Sequence, residues 1–384
     1  MEKFTMNDTT IAFIGLGLIG GSLAKGIKKA RPDIRIMAYM RTRSKLEQAK
    51  KDGIVDVILD GIDEQLKQCD LIFLCTPVEY NAQYLSKIRS YLKPGALITD
   101  VGSTKTDIHK EILRQGLTDC FVGGHPMAGS EKTGYENATD HLLENAYYIV
   151  TPPEGFNQNG CGYGNISPKY SENVKRIIAV AQTVGAIPLV LDYKEHDTVV
   201  AAISHLPHLV ASSLVNLVKD SDSPAETMKQ VAAGGFKDIT RIASSSPEMW
   251  EQICMTNSEP IADMLERYID SLQDILSEIK GHQGNAIYKL FEKSRDYRNT
   301  ITDRAKGSVE PSYAFSVDMA DEVGAISTIA VILAAKGISI KNIGINHNRE
   351  HGEGTLKIIF YDKEAMDMAW KQLERYHYDL ISNN

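Results

Sequence analysis

Hydrophobic and polar positions alternate in blocks over the first half of the chain. Short apolar runs lie at residues 11–14, 34–39, 71–75, 97–99, 121–122, 147–150 and 187–191, with helical patterns between them. Buried strands that alternate with helices are typical of a parallel sheet covered by helices on both faces. The pattern therefore predicts a doubly wound α/β domain over residues 10–191.

After this region the strand signals stop until about residue 303. Apolar side chains recur there at i, i+3 and i+4, the spacing of an amphipathic helix, as at Ile261, Met264, Leu265 and Tyr268. We predict an all-helical domain over residues 195–303. Helices this apolar bury one another within the domain or pack against a second copy of the chain, and the prediction favours a homodimer.

Strand signals return after a polar linker at residues 302–311. Apolar runs at residues 313–319, 338–345, 355–361 and 378–381 enclose two helical patterns, which end near residues 336 and 376. The resulting order is β, α, β, β, α, β. We predict a small third domain over residues 312–384.

Composition narrows the function classes. A chain of 384 residues is long enough for two or three domains, each with its own core. The net charge of −8 disfavours binding to a phosphate backbone, so no nucleic-acid partner is expected. No apolar run reaches the ~18 residues of a membrane span, and we expect a cytoplasmic protein with no membrane partner.

The cysteines show no paired spacing of the kind that a zinc site or a disulfide framework has. They are Cys69, Cys75, Cys120, Cys161 and Cys254. The sequence therefore predicts no metal site and is consistent with a reducing compartment.

A glycine-rich turn follows the first apolar run and opens a helix. Gly15 permits the turn, Gly17 lets the backbone approach a pyrophosphate, and Gly20 allows the helix to pack closely on the strand. The helix start at Leu18 and Ile19 offers free N–H groups to phosphates. These five residues predict a Rossmann-type site for a nicotinamide or flavin dinucleotide.

The residue type at the end of the second strand influences whether a Rossmann-type site binds NAD or NADP. An acidic residue there accepts the ribose hydroxyls of NAD, but this chain has Met40, Arg41 and Arg43 in that region. Either arginine is able to pair with the 2′-phosphate of NADP, or to lie in solvent at a helix start. NAD is the predicted cofactor, with NADP left open and Arg41 as a contact.

Three further loops begin where predicted strands end. Thr76 and Pro77 follow the third of the listed runs, Ser103 follows the fourth, and His125 follows the fifth. Open α/β sheets bind ligands at this edge, so the loops outline one cleft, with Thr76, Pro77 and Ser103 near the cofactor. His125 is its one side chain expected to titrate near neutral pH, which suits it to accept a hydroxyl proton. Ser103 is predicted to orient the ring.

The helical part adds two candidates for an anionic substrate. Arg241 lies in the segment 234–241, and its planar guanidinium suits a carboxylate. His205 lies in the segment 204–208. Each is also compatible with a purely structural position.

Five motifs in order resemble the prephenate dehydrogenase family of tyrosine biosynthesis. They occupy residues 15–22, 101–105, 124–131, 204–208 and 236–243, and the resemblance covers residues 10 to about 300. It implies oxidative decarboxylation of prephenate to 4-hydroxyphenylpyruvate, with hydride transfer to NAD(P) and no metal. Many members have an aspartate where this chain has Met40.

The resemblance also implies residue roles and a dimer formed by the helical domain. His125 binds and deprotonates the ring hydroxyl, and Ser103 supports it. Arg241 and His205 hold the carboxylate end. Glu131 shapes the entrance and Trp250 lines the pocket.

The C-terminal part resembles an ACT domain. Asp321, Val323 and Gly324 match the family's Asp-x-x-Gly turn, although Val323 stands where proline is frequent. This resemblance implies feedback inhibition by tyrosine at the turn. The alternative is an oligomerising module without a ligand.

Two other functions are compatible with the motifs. An arogenate or cyclohexadienyl dehydrogenase differs only in an amino group on the substrate side chain. A sensor that binds nucleotide and amino acid without turnover is disfavoured by His125, Ser103 and Arg241 together, because a sensor needs no proton acceptor.

Overall fold

The computed structural model describes residues 9–129, 132–153, 168–301, 313–320, 322, 324–348 and 353–382. The chain divides into two compact units, residues 1–307 and 308–384. The predicted α/β and helical regions both belong to the first unit, and the predicted third domain forms the second.

The first unit combines an α/β part with a run of helices. Its strands are β1 (Thr10–Ile14), β2 (Arg35–Tyr39), β3 (Val57–Ile58), β4 (Leu71–Leu74), β5 (Leu97–Asp100), β6 (Gly123–Pro126), β7 (Tyr147–Thr151) and β8 (Ile187–Val190). Its helices are α1 (Leu18–Ala30), α2 (Arg43–Lys51), α3 (Asn81–Ile88), α4 (Thr106–Gln115), α5 (Pro168–Thr183), α6 (Tyr193–Val200), α7 (Leu206–Ser221), α8 (Thr227–Val231), α9 (Gly234–Thr240), α10 (Pro247–Thr256), α11 (Ser258–Lys280) and α12 (Gly284–Thr300).

Five strands form a parallel sheet in the order β3-β2-β1-β4-β5. The strand order reverses between β1 and β4, the position where open α/β sheets bind ligands. β6, β7 and β8 form a second sheet that a bridge between Ile98 and Phe121 connects to β5. The predicted Rossmann-type sheet is therefore confirmed.

Two details differ from the prediction. β6 runs antiparallel to β7, so the expectation of a wholly parallel sheet is wrong at this strand. A parallel pair needs a crossover, usually a helix, whereas the described residues between β6 and β7 contain only a short 3₁₀ turn, Tyr135–Asn137. β3 was missed because two residues give no periodic signal.

The sheet is buried on both faces. Phe13 and Phe73 stack with ring centroids 4.9 Å apart on the face covered by α1 and α5. Ile72 and Leu74 point to the opposite face, where α3 and α4 contribute Leu85 and Ile112. Burial of one such side chain stabilises the fold by roughly 1.5–3 kcal/mol.

α6 and α7 are joined by one π-helical turn, Ala201–His205. Pro207, in the first turn of α7, has no N–H to donate to the carbonyl of Ile203. A wider turn accommodates this missing bond, and such π turns are frequent at functional sites. The prediction of a helical region is confirmed, but its periodicity did not reveal this turn.

The helical part exposes many apolar side chains in the single chain. Met255, Leu276 and Phe291 are 50% to 69% exposed. These three side chains are therefore not buried within the helical part of a single chain, as the alternative of a core within the domain requires. They form a surface suited to a second copy of the chain.

The helical stretch Tyr193–Ser221 is long and apolar enough to cross a membrane by length and composition, with mean hydropathy 1.5. No uninterrupted apolar run marks this stretch in the sequence, because polar residues divide it. The stretch carries His196, Asp197 and His205, all buried and hydrogen-bonded. Helices of soluble proteins pass the same test, so it does not identify a membrane span.

The second unit contains the predicted β-α-β-β-α-β order. Its elements are β9 (Ala314–Ala320), α13 (Ala325–Ala334), β10 (Ile340–Asn348), β11 (Glu353–Phe360), α14 (Lys363–Arg375) and β12 (Asp379–Ser382). The antiparallel sheet has the order β10-β11-β9-β12. Leu333 and Leu373 from the two helices pack with Phe315 and Val317 of β9, so both helices cover one face of the sheet.

Candidate active site

The glycine loop has the geometry that a bound dinucleotide requires. Gly15 has φ 95°, and a Cβ there would lie 2.5 Å from the carbonyl oxygen of Cys75. A Cβ on Gly20 would lie 2.7 Å from the carbonyl oxygen of Gly15, whereas one on Gly17 would meet nothing within 4 Å. The loop thus packs α1 tightly on the sheet and leaves open space at Gly17, where a pyrophosphate would approach.

The start of α1 is suited to an anion. Leu18 is the first helical residue and Ile19 the second, and no side chain caps the helix or places a carboxylate in its first turn. The free N–H groups and the helix dipole both favour negative charge. These residues therefore fit a dinucleotide.

The Thr76 loop lies against the glycine loop. The Thr76 methyl group would lie 3.2 Å from a Cβ on Gly15, and the Thr76 hydroxyl donates to Asn81 Oδ1 at 3.3 Å. Pro77 precedes a short 3₁₀ turn, Val78–Tyr80. The ends of β1 and β4 therefore form two sides of one cleft.

The two arginines after β2 have different surroundings. Arg43 pairs with Asp60 and Glu47. The Arg41 guanidinium is exposed and lies 5.2 Å from the centre of the Tyr80 ring, with no carboxylate partner among the described residues. Arg41 is therefore the arginine available to a ligand.

His125 lies on β6, and its side chain is held by a second histidine. His125 Nδ1 and His196 Nε2 are 2.7 Å apart, and His196 Nδ1 lies 2.8 Å from Asp197 Oδ1. Burial holds the pKa of His125 well below 6.5, and the charges of His196 and Lys105 lower it further. The His125 imidazole is therefore neutral at neutral pH and able to accept a proton.

Asp197 connects α6 to the beginning of α4. Its carboxylate accepts hydrogen bonds from the backbone N–H groups of Lys105 at 2.8 Å and Thr106 at 2.7 Å. Burial alone would raise the pKa of Asp197, but hydrogen bonds from His196 and Thr106 outweigh it, so the pKa lies below its usual range. Asp197 is thus a fixed negative charge behind His196.

A buried ion pair lies under the Ser103 loop. Lys105 Nζ contacts Asp100 Oδ2, and both side chains are fully buried. Asp100 also accepts from the backbone N–H groups of Gly102 at 2.9 Å and Gly124 at 3.2 Å. This pair ties the loop after β5 to the strand that carries His125.

Ser103 lies partly exposed in this loop, at the predicted edge of the sheet. The hydrogen bond described for the His125 ring goes to His196, so the orienting role predicted for Ser103 belongs to His196 in this structure. Contact between Ser103 and a cofactor stays a prediction.

His205 and Trp250 meet on the helical side. His205 is 1% exposed, its Nδ1 lies 3.1 Å from Asn257 Nδ2, and burial lowers its pKa to about 4. The Trp250 ring meets the edge of His205 and stacks on His208 at 3.7 Å. The predicted pocket residues His205 and Trp250 are therefore in contact.

Arg241 begins the 3₁₀ turn that follows α9 and is exposed. Burial lowers the pKa of His208, and the charge of Arg241 contributes in the same direction. The charge of Arg241 therefore acts on His208, the ring that stacks on Trp250. Glu131 lies outside the described residues, as do Asp321 and Val323, and Gly324 is the N-cap of α13 with φ 94°.

Five buried residues of the site were missed or left without a role. They are Asp100, Lys105, His196, Asp197 and Asn257. The adjacent His196 and Asp197 were the available signal, since an acid next to a histidine orients it in many active sites. Within the described part of the chain, no group of three His, Cys, Asp or Glu residues is placed to hold a metal ion.

Comparisons with known proteins agree with this geometry. One family model, described as the nucleotide-binding domain of prephenate dehydrogenase, matches residues 23–160, and another, described as its dimerization domain, matches residues 192–293. The prephenate dehydrogenase of Bacillus subtilis is 37% identical over 369 residues, 95% of each chain. That of Lactococcus lactis is 35% identical over 95% of this chain and 97% of its own.

Solved structures show the same similarity. Aquifex aeolicus prephenate dehydrogenase, in complex with hydroxyphenyl propionate and NAD+, is 29% identical with a TM-score of 0.68, covering 78% of this chain and 100% of its own. Synechocystis arogenate dehydrogenase is 28% identical with a TM-score of 0.65, covering 77% and 100%. Each structure therefore matches about three quarters of this chain.

Proposed function

Because the chain belongs to the prephenate dehydrogenase family, we propose that it converts prephenate to 4-hydroxyphenylpyruvate by oxidative decarboxylation. The observation that supports this activity most directly is the neutral His125 ring held by His196 and Asp197. A proton acceptor fixed in this way is what the oxidation of a hydroxyl group requires.

The residues of the chain divide the reaction between them. His125 Nε2 accepts the proton of the ring hydroxyl as hydride leaves the same carbon; carbon dioxide then departs, the ring becomes aromatic, and His125 returns the proton to the phenolate oxygen. A nicotinamide held by the glycine loop would supply the acceptor for the hydride of the hydroxyl-bearing carbon. Aromatisation supplies much of the driving force, so the protein contributes mainly orientation and the transfer of one proton from the ring oxygen and back.

The helical side holds the other end of the substrate. We assign the carboxylate contact to Arg241 and His205, with Trp250 lining the pocket and Glu131 at the entrance. The exposed guanidinium of Arg241 and the contact between His205 and Trp250 support this division. A guanidinium binds a carboxylate through two parallel hydrogen bonds, which fixes its direction.

We propose NAD as the cofactor, with NADP also accepted. Gly15, Gly17, Leu18, Ile19 and Gly20 would hold the pyrophosphate, with Thr76, Pro77 and Ser103 beside the nicotinamide half. No acidic side chain at the end of β2 repels a 2′-phosphate, and Arg41 is available to it.

Replacement of Arg41 by alanine tests this cofactor assignment. We expect the KM for NADP to rise by about tenfold or more, because a charge-assisted hydrogen bond contributes roughly 1.5–3 kcal/mol, while the KM for NAD changes little. Steady-state kinetics with both cofactors measure the difference. Arg43→Ala is the control, because Arg43 is already paired with Asp60; equal effects from both variants would exclude a special role for Arg41.

The activity is tested by following the absorbance of reduced nicotinamide with purified protein, using prephenate and arogenate with each cofactor. We expect the fastest turnover with prephenate and NAD. Preference for arogenate would replace the proposal by arogenate dehydrogenase activity, which the similarity to the Synechocystis enzyme also supports. No reduced cofactor with either substrate would indicate a sensor.

We further propose that the chain is a homodimer through its helical part. The exposed Met255, Leu276 and Phe291 support this arrangement, as does the match of residues 192–293 to a dimerization domain. Light scattering in solution tests it, and a monomer at working concentration contradicts it.

Tyrosine is the proposed effector of the second unit, at the turn before α13. Gly324→Ala places a Cβ where φ is 94° and is expected to weaken inhibition by tyrosine by about tenfold while turnover is kept. Gly337→Ala is the matched control, since Gly337 has φ 68° at the other end of α13. The measurement is the tyrosine concentration that halves the rate.

Removal of the residues after Pro311 should abolish tyrosine sensitivity and leave turnover. If the truncated chain stays sensitive, the effector site lies elsewhere. If the full chain never responds to tyrosine, the second unit is an oligomerising module.

A further inference from the structure

Asp197 is linked to the two cleft histidines, His125 and His205, through one intermediate residue each and by two different groups. Its carboxylate contacts His196, which contacts His125. Its backbone carbonyl oxygen accepts from Asn257 Nδ2 at 2.9 Å, and the same Nδ2 lies 3.1 Å from His205 Nδ1. The hydrogen bonding of both the His125 ring and the His205 ring therefore depends on one buried residue, Asp197.

The hydrogen bonds that run from the Asp197 carboxylate through His196 determine which nitrogen of His125 carries the proton. A carboxylate only accepts, so His196 donates from Nδ1 to Asp197. In a neutral imidazole the other nitrogen is then an acceptor, and His196 Nε2 receives the Nδ1–H of His125 at 2.7 Å. His125 Nε2 is left with a free lone pair.

The hydrogen bonds that run from the Asp197 backbone carbonyl through Asn257 place the proton of His205 on the other ring nitrogen, Nε2. A carbonyl oxygen also only accepts, so the side-chain amide of Asn257 must direct its NH₂ group towards Asp197. The second hydrogen of this NH₂ group points to His205 Nδ1, which is therefore an acceptor. The neutral ring of His205 then carries its proton on Nε2.

We propose that His196, Asp197 and Asn257 are positioning residues that fix the two cleft histidines in opposite tautomers, His125 as a proton acceptor and His205 as a hydrogen-bond donor. This inference rests on the proposed function for the groups that the two rings meet. His125 Nε2 takes the hydroxyl proton, and the imidazolium that forms donates its Nδ1–H to His196 in a charge-assisted bond. His205 Nε2–H donates to a substrate oxygen.

The tautomers can be read directly by ¹⁵N NMR of histidine-labelled full-length protein at neutral pH. We expect His125 to be protonated on Nδ1 and His205 on Nε2, with the signals assigned by single substitution. Protonation of His125 on Nε2, or of His205 on Nδ1, would overturn the proposal. This measurement does not depend on turnover, so failure of the proposed function and failure of this inference are distinguishable.

A pair of variants at position 196 tests the positioning role. His196→Ala is expected to lower kcat by roughly a hundredfold with little change in either KM, because orientation of a general base contributes on this scale. His196→Gln keeps a carbonyl oxygen that can accept from His125 and is expected to recover about tenfold of that loss. His109→Gln is the control, since His109 is equally buried but bonded to Thr151.

Asn257→Asp tests the hydrogen bonds that connect the Asp197 carbonyl to His205. A carboxylate at this position accepts from His205 Nδ1 and is expected to convert His205 to the Nδ1–H tautomer, visible by NMR, with a rise in the KM for substrate. Unchanged His205 signals in this variant, or equal activity of the His196→Ala, His196→Gln and His109→Gln proteins, would contradict the proposal.

Discussion

Replacement of His125 by asparagine is expected to lower kcat by about a hundredfold or more, the usual contribution of a general base. Asparagine cannot accept a proton, but it is similar in volume and leaves the glycine loop unchanged. The Kd for NAD should therefore stay near that of the wild type. Stopped-flow measurement of the rate and fluorescence titration of the cofactor separate the two effects.

The control for this variant is His141→Asn, because His141 is exposed and hydrogen-bonded to Asp140. A loss of cofactor affinity comparable to the loss of rate would mean that His125 supports the nucleotide site instead.

The pH dependence of kcat/KM tests the same residue. The active form has a neutral His125, and burial holds the pKa of this ring well below 6.5. Activity should therefore be constant as the pH falls from 7.5 to 6.5 and should decrease only at lower pH. An acid limb centred at or above the ordinary histidine pKa of ~6.5 would show that another group controls the rate.

Replacement of Arg241 by alanine has the second large expected effect. The KM for prephenate should rise by roughly ten- to a hundredfold, since loss of a hydrogen bond to a charged group costs about 1.5–3 kcal/mol. The kcat should be largely retained, because His125 is unchanged. Steady-state kinetics at saturating NAD measure both constants.

Arg241→Lys and Lys237→Ala complete this series. Lysine keeps the charge but not the planar pair of donors, so an intermediate KM is expected. Lys237 lies one turn earlier and is exposed, and its removal should have little effect. A fall in kcat with unchanged KM in the Arg241→Ala protein would exchange the roles assigned to Arg241 and His125.

The parts of the site that the sequence predicted are those set by local chemistry. Gly15 and Gly20 are needed because a Cβ would collide with neighbouring backbone, and this requirement is visible in a six-residue motif. The placement of Thr76 after β4 follows from the order of strands and helices, whereas His125, predicted in a loop after residues 121–122, lies within β6. Apolar periodicity was enough for the helical region.

The missed parts depend on contacts between distant segments. His196 meets His125 across 71 residues, and Asn257 meets Asp197 across 60. The adjacent His196 and Asp197 indicate an oriented imidazole, but nothing local to them indicates that its partner is His125. Ser103 was assigned the orienting role because its loop and His125 were predicted at the same edge of the sheet, whereas the hydrogen bond described for the His125 ring comes from the helical part.

The π turn before α7 has a consequence for the directions in which two buried histidines face. His196 and His205 are nine positions apart, and on a regular helix, at about 100° per residue, they would face in opposite directions. One additional residue absorbed by the wider turn reduces their angular separation to about 80°. A local irregularity in winding thus turns both imidazoles of this continuous helical stretch towards similar directions, with His196 bonded to His125 and His205 bonded to Asn257.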